Sequence, residues 1–195
     1  MINRLPFYSW LGFVLVAVFW TLNWSLEGLR THWGFFPLWL GYILVVDGIV
    51  VLRKQTSPIK RNLPGFVFLF LLSVPVWWLF ELFNTRLQNW QYLGTAHFTD
   101  LEYALLSSLS FSTVIPAVFV TSELASTFSW VKNVRIPVRI PSSRRTLAVL
   151  FTLGAVTLGL MLAWPRYFFP FEWLCVFFII EAVNGWLGYN TLLKR

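Results

Sequence analysis

Four acidic residues that could carry chemistry lie inside long apolar stretches of the sequence. They are Asp47, Glu81, Glu172 and Glu181. An ionisable side chain at membrane depth costs about 2.5–3.5 kcal/mol on insertion scales, so each of these acids needs an explanation. Apolar surroundings favour the neutral form of a carboxyl group, and a neutral acid can donate a proton. We therefore take Glu81 and Glu172 as candidate catalytic residues.

A structural role is the alternative for the same acids. Three arginines, Arg30, Arg86 and Arg166, fall near the membrane level of Glu81 and Glu172. Ion pairs with them, or contacts that cap helices, would hold a bundle in register. For Asp47, hydrogen bonding inside the bundle is the favoured interpretation.

Amide and aromatic side chains accompany the acids and extend the candidate site. Glu81 and Asn84 are spaced i, i+3, which places them on one helix face, and the same spacing recurs later in the chain. Tryptophans near Glu81 would wall a polar cluster in the outer leaflet. The candidate ligand-binding residues are Asp47, Asn84, Trp77, Trp78, Trp90, Glu181 and Asn184.

An acid among aromatic rings suits a hydrophobic ligand or substrate of the isoprenoid or carotenoid kind. The acid would protonate an alkene, and aromatic faces would stabilise the resulting cation. Two other functions stay open: a non-catalytic accessory subunit of a larger membrane complex, pigment-binding or energy-converting, and a proton-coupled transporter. The residues indicate no particular cofactor. His32 and His97 fall in loops, and the sequence predicts no metal site.

The composition predicts the elements that must position these residues. Of 195 residues, 57% are apolar and only 12% are charged, with a mean hydropathy of +0.68. A soluble domain has about 25% charged residues, because its surface must be hydrated. Twelve Trp and twenty Phe suit helix interfaces and the headgroup belt. We expect an all-α fold, an integral membrane helical bundle whose first partner is the lipid bilayer.

Six apolar windows are long enough to cross a bilayer as helices, which takes about 20 residues each. Ser and Thr residues inside these windows are compatible with membrane helices, since a helix satisfies its own backbone hydrogen bonds. The predicted spans are 7–26, 33–52, 63–83, 101–122, 146–164 and 168–189.

The basic residues predict the orientation of these spans. If Arg4 faces the cytoplasm, twelve of the fifteen Lys and Arg residues lie on the cytoplasmic side and three outside. The sequence therefore predicts a multi-pass protein of the bacterial cytoplasmic (inner) membrane with both termini in the cytoplasm. The net charge of +7 is explained by this asymmetry, so we expect no nucleic-acid partner. Residues 123–145 form a basic cytoplasmic loop, expected to lie extended on the membrane surface.

Two of the predicted spans share a pattern. Phe35-Phe36-Pro37 is followed by Trp39-Leu40 and Asp47, and Phe168-Phe169-Pro170 is followed by Trp173-Leu174 and Glu181. The Trp-Leu pair and the acid recur 134 residues later. The pattern predicts a parallel repeat with a first four-helix segment, 1–122, and an incomplete second segment, 146–195. A protein partner or a second copy of the chain is expected to complete it.

These motifs carry a resemblance to known sequences. The stretch Gly34-Phe-Phe-Pro-Leu-Trp-Leu-Gly-Tyr, followed by Trp77-Trp78-Leu-Phe-Glu81-Leu-Phe-Asn84 and Asn89-Trp90-Gln-Tyr92, resembles an uncharacterised family of bacterial multi-span membrane proteins. Members of that family are longer and carry a second Trp-Glu-Asn-Trp element, which this chain lacks. The resemblance implies a membrane location and no particular activity.

A second resemblance concerns the candidate catalytic residue Glu172. Pro170-Phe171-Glu172 is similar to the Pro-x-Glu-(Glu/Asp) element of lycopene-cyclase-like membrane domains. Trp173 stands where those domains have a second acid. The resemblance implies isoprenoid chemistry, and the replaced acid is a departure from the pattern.

Overall fold

The chain is helical throughout the part that the structure describes. The computed structural model describes residues 4–26, 30–134 and 143–192, and the side chains of all of these except 30–33. Within these ranges there is no strand, and six helices are long and apolar enough to cross a membrane. The predicted helical membrane bundle is therefore confirmed.

The helices follow the predicted spans to within a few residues, with two interruptions. The fourth span consists of α5 and α6, and the sixth consists of α9, a short 3-10 helix at Phe169–Phe171, and α10. A second 3-10 turn lies at Thr95–His97. The α-helices are α1 (Phe7–Ser25), α2 (Arg30–Lys54), α3 (Pro58–Arg61), α4 (Leu63–Leu87), α5 (Asp100–Phe111), α6 (Val114–Ala125), α7 (Ser129–Asn133), α8 (Arg144–Ala163), α9 (Pro165–Phe168) and α10 (Glu172–Trp186).

By its contacts the chain divides into two compact units. The first unit contains Met1–Trp78 and Tyr92–Val134, and the second contains Leu79–Gln91 and Arg135–Arg195. The end of α4 and the first residues of the loop after it thus group with α8 and α10.

In the first unit, α1 and α2 approach closely because glycine and serine line their contact. A Cβ placed on Gly12 would lie 2.8 Å from the carbonyl oxygen of Gly41, closer than real Cβ atoms come. Ser9, which is fully buried, packs directly against Gly48. Small residues at these positions let the two backbones pack without a gap.

Another face of α2 forms the core of the first unit. Ile43 and Val46 of α2 pack with Phe66 of α4 and with Ala117 and Val120 of α6. All five side chains are at most 5% exposed. Contacts of this kind replace lipid by close protein packing, which is the main source of association between membrane helices.

The fourth span is interrupted at Ser112 and Thr113, where α5 ends and α6 begins. Pro116 cannot donate the backbone hydrogen bond that Ser112 would accept in a continuous helix. The neighbouring backbone bond of a continuous helix would run from Ile115 N to Phe111 O. The hydroxyl of Ser73 on α4 takes its place, because it donates to Phe111 O at 2.5 Å and accepts from Ile115 N at 3.1 Å. An inserted side chain of this kind bends or breaks a helix.

In the second unit, α8 packs on α10 through glycine. A Cβ on Gly154 would lie 2.7 Å from the side chain of Ile179 and 2.9 Å from the carbonyl oxygen of Cys175. Gly185 of α10 makes an equally close approach to Leu147. Close contacts at Gly154 and Gly185 therefore hold α8 against α10, and a larger residue at either position would push the two helices apart.

The predicted basic loop 123–145 is partly helical. Residues up to Ala125 belong to α6, and Ser129–Asn133 form the single turn of α7. The expectation of an extended segment is therefore wrong for residues 129–133, because the backbone of Lys132 donates to Phe128 O and closes a helical turn. Residues 135–142 of this loop lie outside the described part of the chain.

Candidate functional site

Glu172 is the more deeply buried of the two predicted catalytic residues. It opens α10 directly after the 3-10 turn at Phe169–Phe171, and it is only 1% exposed. Its oxygen Oε1 has no hydrogen-bond partner among the described residues. A carboxyl group in the first turn of a helix is favoured by the helix dipole. An unpaired buried carboxyl oxygen is nevertheless unusual, since buried polar groups are normally hydrogen-bonded.

Glu81, the second predicted catalytic residue, lies beside Glu172 in the second unit. Its Oε1 accepts a hydrogen bond from the indole Nε1 of Trp90 at 3.1 Å. Both Glu81 and the side-chain amide of Asn89 are close enough to Glu172 to interact with its carboxyl group. The structure therefore brings the two acids together, with one tryptophan and one asparagine against them.

Asn84 holds the loop that carries Asn89 and Trp90. Its Oδ1 accepts from the backbone nitrogens of Asn89 at 2.9 Å and Trp90 at 3.3 Å, and its Nδ2 donates to Trp90 O at 2.9 Å. Gln88 reverses the chain after α4 with a left-handed φ of +53°. Asn84 was predicted to bind a ligand. In the structure its amide is instead bonded to the protein backbone.

The residues next to the two acids in sequence form an aromatic contact. Trp173, next to Glu172, lies with its ring centroid 4.1 Å from that of Phe80, next to Glu81. Arg86, two residues beyond Asn84, donates its Nε hydrogen to the carbonyl oxygen of Leu162 near the end of α8. The end of α4 thus places Glu81, the ring of Phe80 and the guanidinium of Arg86 in the second unit.

Glu181 and Asn184 lie farther along α10. Nine residues separate Glu172 from Glu181, which corresponds to about 14 Å along a helix. Glu181 is 7% exposed and Asn184 is half-buried. These two predicted ligand-binding residues therefore do not join the cluster around Glu172.

Asp47, fully buried in the first unit, is occupied by protein groups. It accepts hydrogen bonds from Tyr8 Oη at 2.6 Å, Ser57 Oγ at 2.8 Å and the backbone nitrogen of Ile59 at 3.2 Å. These bonds join α1, the α2–α3 connection and α3 to Asp47 on α2. The hydrogen bonding expected for Asp47 is present.

Trp77 and Trp78, predicted to bind a ligand, belong to the first unit. Both rings pack on Phe111, with centroid distances of 5.9 and 5.4 Å. Trp78 Nε1 also donates to Ser108 Oγ at 2.9 Å. The two tryptophans thus fix α4 against α5.

A polar cluster that the sequence reasoning missed closes one end of the first unit. Glu123 of α6 accepts from Lys54 Nζ at 2.8 Å and from both terminal nitrogens of Arg61 at 3.2 and 3.0 Å. The hydrogen bond with Glu123 raises the pKa of the Arg61 guanidinium. No spacing rule links residues this far apart in sequence. Their positions after predicted spans two and four were the available signal.

The fold defines the class of this protein as a multi-pass helical membrane protein in which a buried carboxyl group, Glu172, lies beside the half-buried Glu81 in one unit. The chain matches no family model, no curated protein sequence and no solved structure.

Proposed function

We propose that this membrane protein binds a hydrophobic, isoprenoid-like molecule whose polar or unsaturated group lies against Glu172. The observation that carries the proposal is the unpaired oxygen of a carboxyl group that is 1% exposed. Leaving a buried polar group without a partner costs about 1–3 kcal/mol. A ligand that offers a hydrogen-bonding or protonatable group would remove this cost.

The neighbours of Glu172 support a hydrocarbon ligand. The rings of Phe80 and Trp173, the sequence neighbours of the two acids, pack on each other in the same unit, and the indole of Trp90 is fixed by its bond to Glu81. Aromatic faces attract positive charge, including that of a carbocation. A ligand of this kind would reach the site from the lipid, where it is dissolved.

The same geometry supports an acid–base reaction on an alkene. Glu172 would transfer its proton to one alkene carbon, and the electron pair of the double bond would form the new C–H bond. The resulting carbocation would lose a proton from a neighbouring carbon to Glu81, so that the double bond moves or a ring closes with no net change in protons. General acid–base catalysis of this kind requires both groups near the reacting atoms.

The binding proposal can be tested on the whole chain in nanodiscs made from its native membrane. Organic extraction and mass spectrometry would measure a co-purifying lipophile in the wild type, in Glu172→Leu and in Glu172→Gln. We expect a stoichiometric lipophile in the wild type, lost in Glu172→Leu, because leucine removes the polar group. Glu172→Gln keeps the shape and would abolish conversion of the lipophile while retaining binding.

Glu102→Gln is the matched control, because Glu102 is an exposed acid that only caps the start of α5. This variant should retain the lipophile and any conversion. A wild type without a stoichiometric lipophile, or an equal amount in Glu172→Leu, would overturn the binding proposal. Binding without conversion would overturn the reaction alone.

We also propose that the end of the first unit that carries Lys54, Arg61 and Glu123 faces the cytoplasm. The asymmetry of the basic residues supports this orientation. Cysteine labelling of intact cells with a membrane-impermeant maleimide tests it at two exposed positions, Asn133 and Leu93. We expect labelling of Leu93→Cys and protection of Asn133→Cys, and the reverse pattern would contradict the orientation.

We further propose that α2 and α10 are two copies of one ancestral element. With the sequence offset of 134, the carbonyl of Gly41 corresponds to that of Cys175, and Val45 corresponds to Ile179. Gly12 packs on Gly41 and Val45, and Gly154 packs on Cys175 and Ile179. The sequences of homologous chains would test the proposal, since unrelated residues at the corresponding positions of the two helices would contradict it.

A further inference from the structure

One face of α10, continued by Leu187 directly after the helix, carries no covering helix within the described part of the chain. The residues of this stripe are spaced by three, four and three: Phe177, Ile180, Asn184 and Leu187. Phe177, Ile180 and Leu187 are 42%, 52% and 65% exposed. Spacings that alternate between three and four residues average 3.5, which is the period of the seam along which two helices pack in a coiled coil.

The corresponding stripe of α2 shows what such a surface does in this protein. At the offset of 134 residues, Phe177, Ile180 and Asn184 correspond to Ile43, Val46 and Val50. These three α2 residues are at most 5% exposed, and Ile43 and Val46 pack against α6. In the first unit this register is therefore a helix-packing surface, whereas on α10 the same register is open.

Asn184 indicates what covers the open stripe. Its side chain is half-buried, and its amide makes no hydrogen bond with a described residue. An amide both donates and accepts, so it is complementary to a second copy of itself. Lipid tails offer no such partner, and asparagine commonly joins helices within membranes. In a coiled-coil seam a single asparagine also fixes the register and the number of helices.

We propose that two copies of this chain associate through the stripe from Phe177 to Leu187, with the two Asn184 amides hydrogen-bonded to each other. Both copies cross the membrane in the same direction, so their α10 helices run parallel. In a parallel, two-fold symmetric contact each residue of the stripe meets its own counterpart. The pairing is independent of any ligand at Glu172.

Disulfide cross-linking in native membranes tests the contact directly. We expect Ile180→Cys to form a covalent dimer on mild oxidation, because the two residues at position 180 would face each other. Val156→Cys is the matched control: it lies midway along α8 and is also 52% exposed, but it is outside the stripe. The wild-type chain should stay monomeric on a denaturing gel, because its single cysteine, Cys175, is fully buried.

The strength of association would be measured by energy transfer between labelled copies in liposomes over a range of protein-to-lipid ratios. Asn184→Val, which restores the residue type of position 50, should weaken association about threefold to twentyfold, the range for a hydrogen bond between membrane helices. Equal cross-linking at positions 180 and 156, no cross-linking at 180, or an unchanged affinity of Asn184→Val would overturn the proposal. Lipid or another protein would then cover the stripe.

Discussion

Replacing Ser73 by alanine would remove the hydroxyl that joins α4 to the interruption between α5 and α6. This hydroxyl is 1% exposed, and it makes one hydrogen bond to Phe111 O and one to Ile115 N. The substitution leaves the apolar contacts of the Cβ in place. Its effect on stability therefore reports the two hydrogen bonds.

The expected cost follows from these two bonds. A hydrogen bond between membrane helices contributes about 0.6 kcal/mol on average and up to about 1.7 kcal/mol. Two bonds therefore correspond to a loss of about 1–3 kcal/mol in the free energy of unfolding. The upper end applies if Phe111 O and Ile115 N stay apart and unpaired, and the lower end applies if they bond to each other in Ser73→Ala.

Reversible unfolding in mixed micelles with sodium dodecyl sulfate, followed by tryptophan fluorescence, would measure the free energy of unfolding. Ser107→Ala is the control, because Ser107 is a half-buried serine of α5 whose hydroxyl bonds to no described residue. Its effect should stay within about 0.5 kcal/mol. A Ser73→Ala variant as stable as Ser107→Ala would refute the bridging role of the hydroxyl.

Three further substitutions follow from the packing and the polar contacts. Tyr8→Phe removes a hydrogen bond to buried Asp47 and should lower the free energy of unfolding in mixed micelles by about 1–3 kcal/mol. Gly154→Val should lower the thermal midpoint in detergent, since overpacking costs about 1–3 kcal/mol, whereas Gly159→Val should not, because no atom lies within 4 Å of its added Cβ. Glu123→Gln should cost less than about 1 kcal/mol by chemical unfolding, because Lys54 and Arg61 are 29% and 47% exposed. Equal effects of the two glycine variants, or a loss of several kcal/mol for Glu123→Gln, would contradict the reasoning.

The spans were predictable because one physical quantity, the thickness of the bilayer, sets their length. Apolar stretches of the required length are rare by chance, and each became helical, in one piece or interrupted, within a few residues of its expected ends. The burial of Asp47 and Glu172 was predictable for the same reason, since both acids lie inside these stretches.

The partners of the polar side chains were not predictable in the same way. Ser73 and Phe111 are separated by 38 residues, and only the packing of α4 on α5 and α6 brings them together. Asn84 shares a helix face with Glu81, which suggested a common ligand. In the structure the Asn84 amide forms hydrogen bonds with the backbone of the loop after α4. Helical spacing fixes which residues share a face, and tertiary structure decides what that face meets.

The hydrogen bonds of Asp47 bear on how the protein enters the membrane. If α2 crossed into lipid alone, its carboxyl group would cost about 2.5–3.5 kcal/mol. Tyr8 precedes Asp47 in the chain and is synthesised first, whereas Ser57 and Ile59 follow it. The first helix is therefore available to receive the acid as the second leaves the translocon, and the connection to α4 completes its hydrogen bonds only afterwards. Membrane insertion of the first two helices as a hairpin, rather than one at a time, is the order of biogenesis that this contact favours.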